Sequence, residues 1–158
     1  NFFIQIITNI GGTSADMGNA VFVAAMLELP TMAFFSKMSE KINCGTLIKF
    51  SILMFCVKHA LTYFATNMIM IYLAQVCQMF AYALFIPASV YYVNEKIALA
   101  DRVKGQSLVT TSMTLSGVFA NFAGGIMLDA LGVGHVLLAG IILSIVGAVI
   151  VILTTEKV

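Results

Sequence analysis

The chain has 158 residues, of which 61% are hydrophobic and 9% charged, with a mean hydropathy of +1.03 and a formal net charge of +1. A soluble domain carries about 25% charged residues and needs them to cover its surface, so this composition excludes an ordinary soluble fold and calls for lipid around the outward side chains. With so small a net charge and no basic stripe, nucleic acid is excluded as a partner and no acidic partner is indicated.

The first ten residues, NFFIQIITNI, are too short to cross a bilayer, which takes ~20 residues. They read as the tail of a helix whose start is missing. The chain opens on Asn1 and has no basic region followed by a cleavage site, so a fragment is expected and not a signal peptide. A turn-rich link, GGTSADMG at 11–18, leads into an apolar segment near 17–36. The polar stretch SKMSEKINCG at 36–45 separates it from a second segment near 45–66, and a very short turn at Asn67 precedes a third near 68–94. The most charged stretch, NEKIALADRVKG at 94–105, precedes a fourth segment near 104–128; DALGVG at 129–134 then turns tightly into a fifth near 135–154.

Each segment is long enough to cross a hydrocarbon core of ~30 Å at 1.5 Å per residue. The apolar runs are continuous and lack period-two alternation, which speaks against strands. Helices satisfy every backbone group within their own segment, so an all-α membrane bundle is expected.

Lys37, Lys41, Lys49, Lys96, Arg102, Lys104 and Lys157 fall in the loops at 36–49 and 94–104 or at the C-terminus, and the opposite loops hold no Lys or Arg. That asymmetry places the basic side and the C-terminus in the cytoplasm. The alternation of sides agrees with five full spans. Tyr63, Tyr72, Tyr91 and Tyr92 are candidates for an interfacial belt in a chain without Trp. A weak internal repeat pairs SEKINCGT at 39–46 with LDALGVGH at 128–135, Asn43 matching Gly132, on opposite membrane faces. Inverted three-helix repeats build many transporter halves, although any tight helix–helix turn favours an acid and a glycine.

Two charges lie inside spans. Lys58 is ~20 Å from the inner end of its segment and ~12 Å from the outer end, and Glu28 lies ~17 Å from the outside. The two helices are consecutive and antiparallel, so both charges are expected near one depth. A charge at the bilayer centre costs about 2.5–3.5 kcal/mol on insertion scales; such residues face a bundle interior, pair, or line a watery cavity. Either a Glu28–Lys58 pin between helices or a solute or ion pathway satisfies this. His59 is turned about 100° from Lys58 and is expected to face another helix.

Gln75 and Gln78 share one face of the third span. Ser107, Thr111 and Thr114 follow helical spacing on the fourth, with Asn121 a stripe away, and are expected to point inward for interhelical hydrogen bonds. Pro30, two residues after Glu28, is expected to free carbonyls beside the charge. Ala120, Gly124, Gly125, Gly140 and Gly147 suit close helix packing. Cys44, Cys56 and Cys77 are isolated and read as apolar fillers. No GxSxG, HExxH, Walker loop or GxGxxG occurs, so neither an enzyme, a cofactor nor a metal is expected.

The residues also carry a resemblance. MLELPTMAFF at 26–35, KHALTYFATN at 58–67, QMFAYALF at 78–85 and GGIMLDALGVG at 124–134 resemble, in order, helices eight to eleven of the sugar–proton symporters of lactose permease type in the major facilitator superfamily. NFF at 1–3 is similar to the outer end of that family's seventh helix. The resemblance implies that residues 1–158 form the C-terminal half of a twelve-helix fold, six helices with the first truncated, completed by a missing N-terminal six-helix half. It places Glu28 where the family has its sugar-binding glutamate and Lys58 where it has a functional arginine. Gln78 and Ala81 stand where the family carries the histidine and glutamate of proton coupling, and Gln75 replaces a further basic residue. That part of the machinery is therefore not carried over.

The combined expectation is secondary active transport of a small polar solute, such as a sugar or nucleoside, by alternating access in the cytoplasmic membrane of a bacterium. Glu28 is assigned as hydrogen-bond acceptor or carrier of a coupling proton, Lys58 as its charge partner, and Gln75 and Gln78 as the polar wall. The alternative is a non-transporting structural or receptor bundle. An ion channel is disfavoured by the lack of a filter sequence.

Overall fold

The computed structural model describes residues 2–156; Asn1 and Lys157, which entered the reading of the N-terminal tail and of the basic side, lie outside them. The described residues are all helical and turn, with no strand. The helices are α1 (Phe3–Asn9), α2 (Ser14–Ser39), α3 (Cys44–Tyr63), α4 (Met68–Lys96), α5 (Arg102–Leu131) and α6 (Val133–Thr154), with a 3-10 turn at Leu99–Asp101 before α5. Five of them, α2 to α6, are long and apolar enough to cross a membrane.

Local chemistry sets where these helices begin. Thr13 caps α2 in a reciprocal capping box with Asp16, Asn43 caps α3 by accepting from the Thr46 amide at 2.9 Å, and Asn67 caps α4 by accepting from the Met70 amide at 3.1 Å. Gly132 alone joins α5 to α6, at φ +82°, a conformation that costs a residue with a Cβ. Asn43, its partner in the proposed internal repeat, has φ −62° and works as a side-chain cap. The two turns therefore share composition and not backbone geometry.

Short links make neighbouring helices antiparallel. In space α4 packs against both α2 and α3, α3 also packs against α6, and α5 leans on α6 with a lighter contact to α4. The buried face of α4 is built from Ala74, Ala81, Ala83 and Ala88, small side chains that let helices approach closely. One apolar cluster joins Phe35, Leu47, Ile48, Leu84 and Ala88 toward the end carrying the basic loops. A second joins Ala20, Ala65 and Ile71 at the other end. Ser51 bridges α3 and α4 by donating to the Ala81 carbonyl at 2.6 Å. At the basic end, Lys96 of α4 pairs with Glu156, and Tyr92 Oη accepts from the Glu156 amide at 3.3 Å. The 94–104 loop and the end of α6 thus share one face, as the count of basic residues requires.

The hydroxyls of α5 depart from expectation. Ser107, Thr111 and Thr114 are exposed, and Ser107 and Thr114 donate to the carbonyls of Val103 and Thr110 one turn back in their own helix. That bond satisfies a hydroxyl without a partner helix, which removes the reason for turning it inward. The cysteines are free; Cys44 is buried and the Cys56 thiol points to the Ser144 carbonyl on α6.

Candidate functional site

Helices α1 to α6 line a half-open cavity of about 670 Å³. Glu28 from α2, Lys58 from α3, and Gln75 and Gln78 from α4 all line it, so the four residues singled out in the sequence meet around one space. Most of the rest of the wall is apolar, including Phe2, Phe3, Ala24, Met127 and Leu143.

The charges do not pair as the sequence suggested. Among the described residues the ion pairs are Lys96–Glu156 and Lys104–Asp101, and Glu28 and Lys58 form none with each other. Lys58 instead donates from Nζ to Gln78 Oε1 on α4. The physical reason is register. Helix α2 starts at Ser14 and α3 ends at Tyr63, so Glu28 lies about 21 Å and Lys58 about 8 Å from the helix ends opposite the basic loops at 1.5 Å per residue. The expected difference in depth was much smaller. An ammonium on a four-carbon stem reaches the nearer amide and leaves the carboxylate free toward the cavity.

Gln75 is only 6% exposed, yet it lines the cavity one turn from Gln78, as two glutamines three residues apart on a helix must. Pro30 and Pro87 lie within continuous helices. Pro30 withholds an amide from the Met26 carbonyl, and the neighbouring Thr31 hydroxyl donates to the Leu27 carbonyl at 3.2 Å, so the polar backbone of this turn lies beside Glu28.

Three polar residues were not assigned to the site from sequence. His59 faces α6, as its angular offset implies, lying 3.7 Å from where a Cβ at Gly140 would be; it also lines the cavity. Its Nδ1 lies 2.9 Å from the Phe55 carbonyl, which only accepts, so Nδ1 carries a proton and donates. Thr62 and Asn121 complete the polar wall. The signal for Thr62 was available, since it lies one turn above Lys58, whose carbonyl takes its hydroxyl at 2.9 Å. The imidazole packs between α3 and α6 at a distance that a Cβ at Gly140 would meet as an ordinary van der Waals contact. No group of His, Cys, Asp and Glu among the described residues is arranged to hold a metal ion.

An all-helical membrane domain around a partly charged central cavity has a counterpart among known families. The family model of the Major Facilitator Superfamily matches residues 1–158. The chain belongs to the major facilitator superfamily. Members of this superfamily are transporters of small molecules and lie in the lipid bilayer, so the protein is an integral membrane protein of that class. No curated protein and no solved structure matches the chain significantly.

Proposed function

We propose that this superfamily member carries a small polar solute across the cytoplasmic membrane of a bacterium by alternating access, with movement coupled to an ion. In this reading α1 is the end of a sixth span, α1 to α6 are the C-terminal half of a twelve-helix fold, and a second six-helix half closes the cavity. The C-terminus lies in the cytoplasm, together with Lys37, Lys41, Lys49, Lys96, Arg102 and Lys104. The observation that carries the proposal is the convergence of Glu28, Lys58, Gln75 and Gln78 from three helices on one cavity.

Glu28 is the candidate for coupling, because a carboxylate inside a membrane can load a proton from one side and release it to the other. Sugars, which the lactose permease resemblance implies, and nucleosides form the reference panel. The test is uptake by the full-length protein in proteoliposomes across a range of pH. Glu28→Gln should abolish coupled uptake and flatten its pH dependence; unchanged transport and unchanged pH dependence would sink the assignment. A purely structural bundle rests on a Glu28–Lys58 pin, and Lys58 is bonded to Gln78 instead. A bundle of that kind should tolerate the Glu28→Lys/Lys58→Glu exchange, whereas a transport site should not.

A further inference from the structure

Resting on the transport reading above, the geometry points to a zwitterion of amino-acid size as the substrate, with its ammonium on Glu28, its carboxylate on Lys58 and an apolar body against the remaining wall. Three observations carry this. The wall that α1 to α6 contribute carries one carboxylate and one ammonium, so on this side of the cavity the formal charge balances with His59 neutral. A ligand of net charge would leave one charge uncompensated in a low-dielectric site, which is costly. Next, the two charges face the same cavity without pairing, since Lys58 is held by Gln78 and Glu28 has no ion pair among the described residues. Opposite charges that share a cavity wall without an ion pair define a dipole, and a ligand with a complementary dipole can satisfy both ends at once. Finally, the wall has a broad apolar part that an aliphatic body fills better than a polyol does. A sugar presents a hydroxyl on nearly every carbon, each costly to bury unpaired. Here the polar groups are confined to a few positions on α3, α4, the middle of α2 and Asn121, while Ala24, Met127, Leu143 and their neighbours offer only apolar contact.

The bond from Lys58 to Gln78 fits the same role. An amide oxygen neutralises no charge, so it orients the ammonium and still leaves it able to take a carboxylate. A carboxylate at position 78 would have consumed it.

The experiment uses the full-length protein in proteoliposomes. Uptake of radiolabelled L-leucine is competed by unlabelled L-leucine, by isoamylamine, which lacks the carboxylate, by 4-methylpentanoate, which lacks the amine, and by glucose. Direct uptake of labelled glucose and labelled uridine is followed in parallel. Saturable leucine uptake is expected, with each singly charged analogue and glucose competing at least tenfold more weakly. The variants then assign the ends. In ligand binding to the detergent-solubilised variants, Lys58→Gln should bring isoamylamine up relative to leucine, and Glu28→Gln should do the same for 4-methylpentanoate. Binding of the same ligands to detergent-solubilised variants, read by thermal shift, separates a binding defect from misfolding. Uptake of glucose or uridine without leucine uptake overturns the zwitterion assignment and leaves the transport reading standing. A singly charged analogue that competes as well as leucine also overturns it. No uptake of any solute overturns both.

Discussion

Lys58 on α3 donates its side-chain hydrogen bond to Gln78 on α4 and not to Glu28 on α2, although all three side chains line one cavity. An amide partner fixes an ammonium in place without cancelling its charge. A hydrogen bond to a charged group contributes about 1.5–3 kcal/mol. Gln78→Leu should therefore weaken substrate binding by roughly 10- to 100-fold, because Lys58 loses its orientation and must be desolvated alone. Gln78→Glu should be similarly damaging for the opposite reason, since it captures Lys58 in an ion pair. Initial uptake rates against substrate concentration decide the matter. An unchanged KM in Gln78→Leu would remove Gln78 from the site.

Ser51 lies at the centre of the α3–α4 contact, fully buried, with its hydroxyl on the Ala81 carbonyl. Interhelical hydrogen bonds within membranes contribute ~0.6 kcal/mol on average and at most ~1.7. Ser51→Ala should thus cost little, because the Ala81 carbonyl keeps its bond within α4. Ser51→Leu should cost about 1–3 kcal/mol by overpacking against the small residues of α4. Equilibrium unfolding in mixed micelles measures both. A larger loss for alanine than for leucine would mean that the hydroxyl, and not the close approach, holds these helices together.

The helices were legible because the bilayer demands it. Long apolar runs have one solution in lipid, and Thr13, Asn43 and Asn67 mark starts with side chains that bond the first turn. What periodicity left open was register between helices. Helix bounds that differ by three residues at the start of α2 and at the end of α3 changed the expected depths of Glu28 and Lys58, and that Lys58 bonds Gln78 instead is a relationship that no single helix encodes. The convergence of four polar residues on one cavity followed from the cost of burying them in lipid, which applies to each separately. His59 escaped for the complementary reason. Its place is set by packing against Gly140, eighty-one residues away on α6, which no local pattern encodes. The α5 hydroxyls misled because a serine or threonine can satisfy itself on its own helix.

Glu156 lies beyond the last span, and its pairing with Lys96 holds its carboxyl below the ordinary value of 4.5. A depressed carboxylate contributes stability that is fully present above that ordinary value and is lost as pH falls through the lower folded one. The pair is exposed, so solvent and salt screen it and the effect is modest. Glu156→Gln should leave thermal stability at neutral pH nearly unchanged and make its decline on the acid side shallower. Melting curves at neutral pH and on both sides of the carboxylate range, in low and high salt, check this. An acid limb identical in the variant and the parent would show that the contact has no energetic consequence.

Gly105 is where α5 touches the end of α4, and it is the buried residue of a helix otherwise largely exposed. A Cβ there would lie 2.5 Å from Ile97 Cδ1 and 2.9 Å from Val93 Cγ1. Two effects compete in Gly105→Ala. Alanine gains about 1 kcal/mol of helix propensity over glycine. Against this, the Ile97 terminus can swing aside easily, but Val93 is β-branched and has few rotamers to offer. The two should nearly cancel, leaving stability within about 1 kcal/mol of the parent. Gly105→Val cannot be absorbed the same way. Its branched side chain loses much of the propensity gain and must push α5 away from Val93, at about 1–3 kcal/mol. Because α5 has few other anchors, its amides should then exchange faster with solvent while those of α3 and α4 stay protected. Hydrogen exchange of the full-length valine variant tests this, and uniform loss of protection across α3, α4 and α5 would show that α5 is not an independently held element.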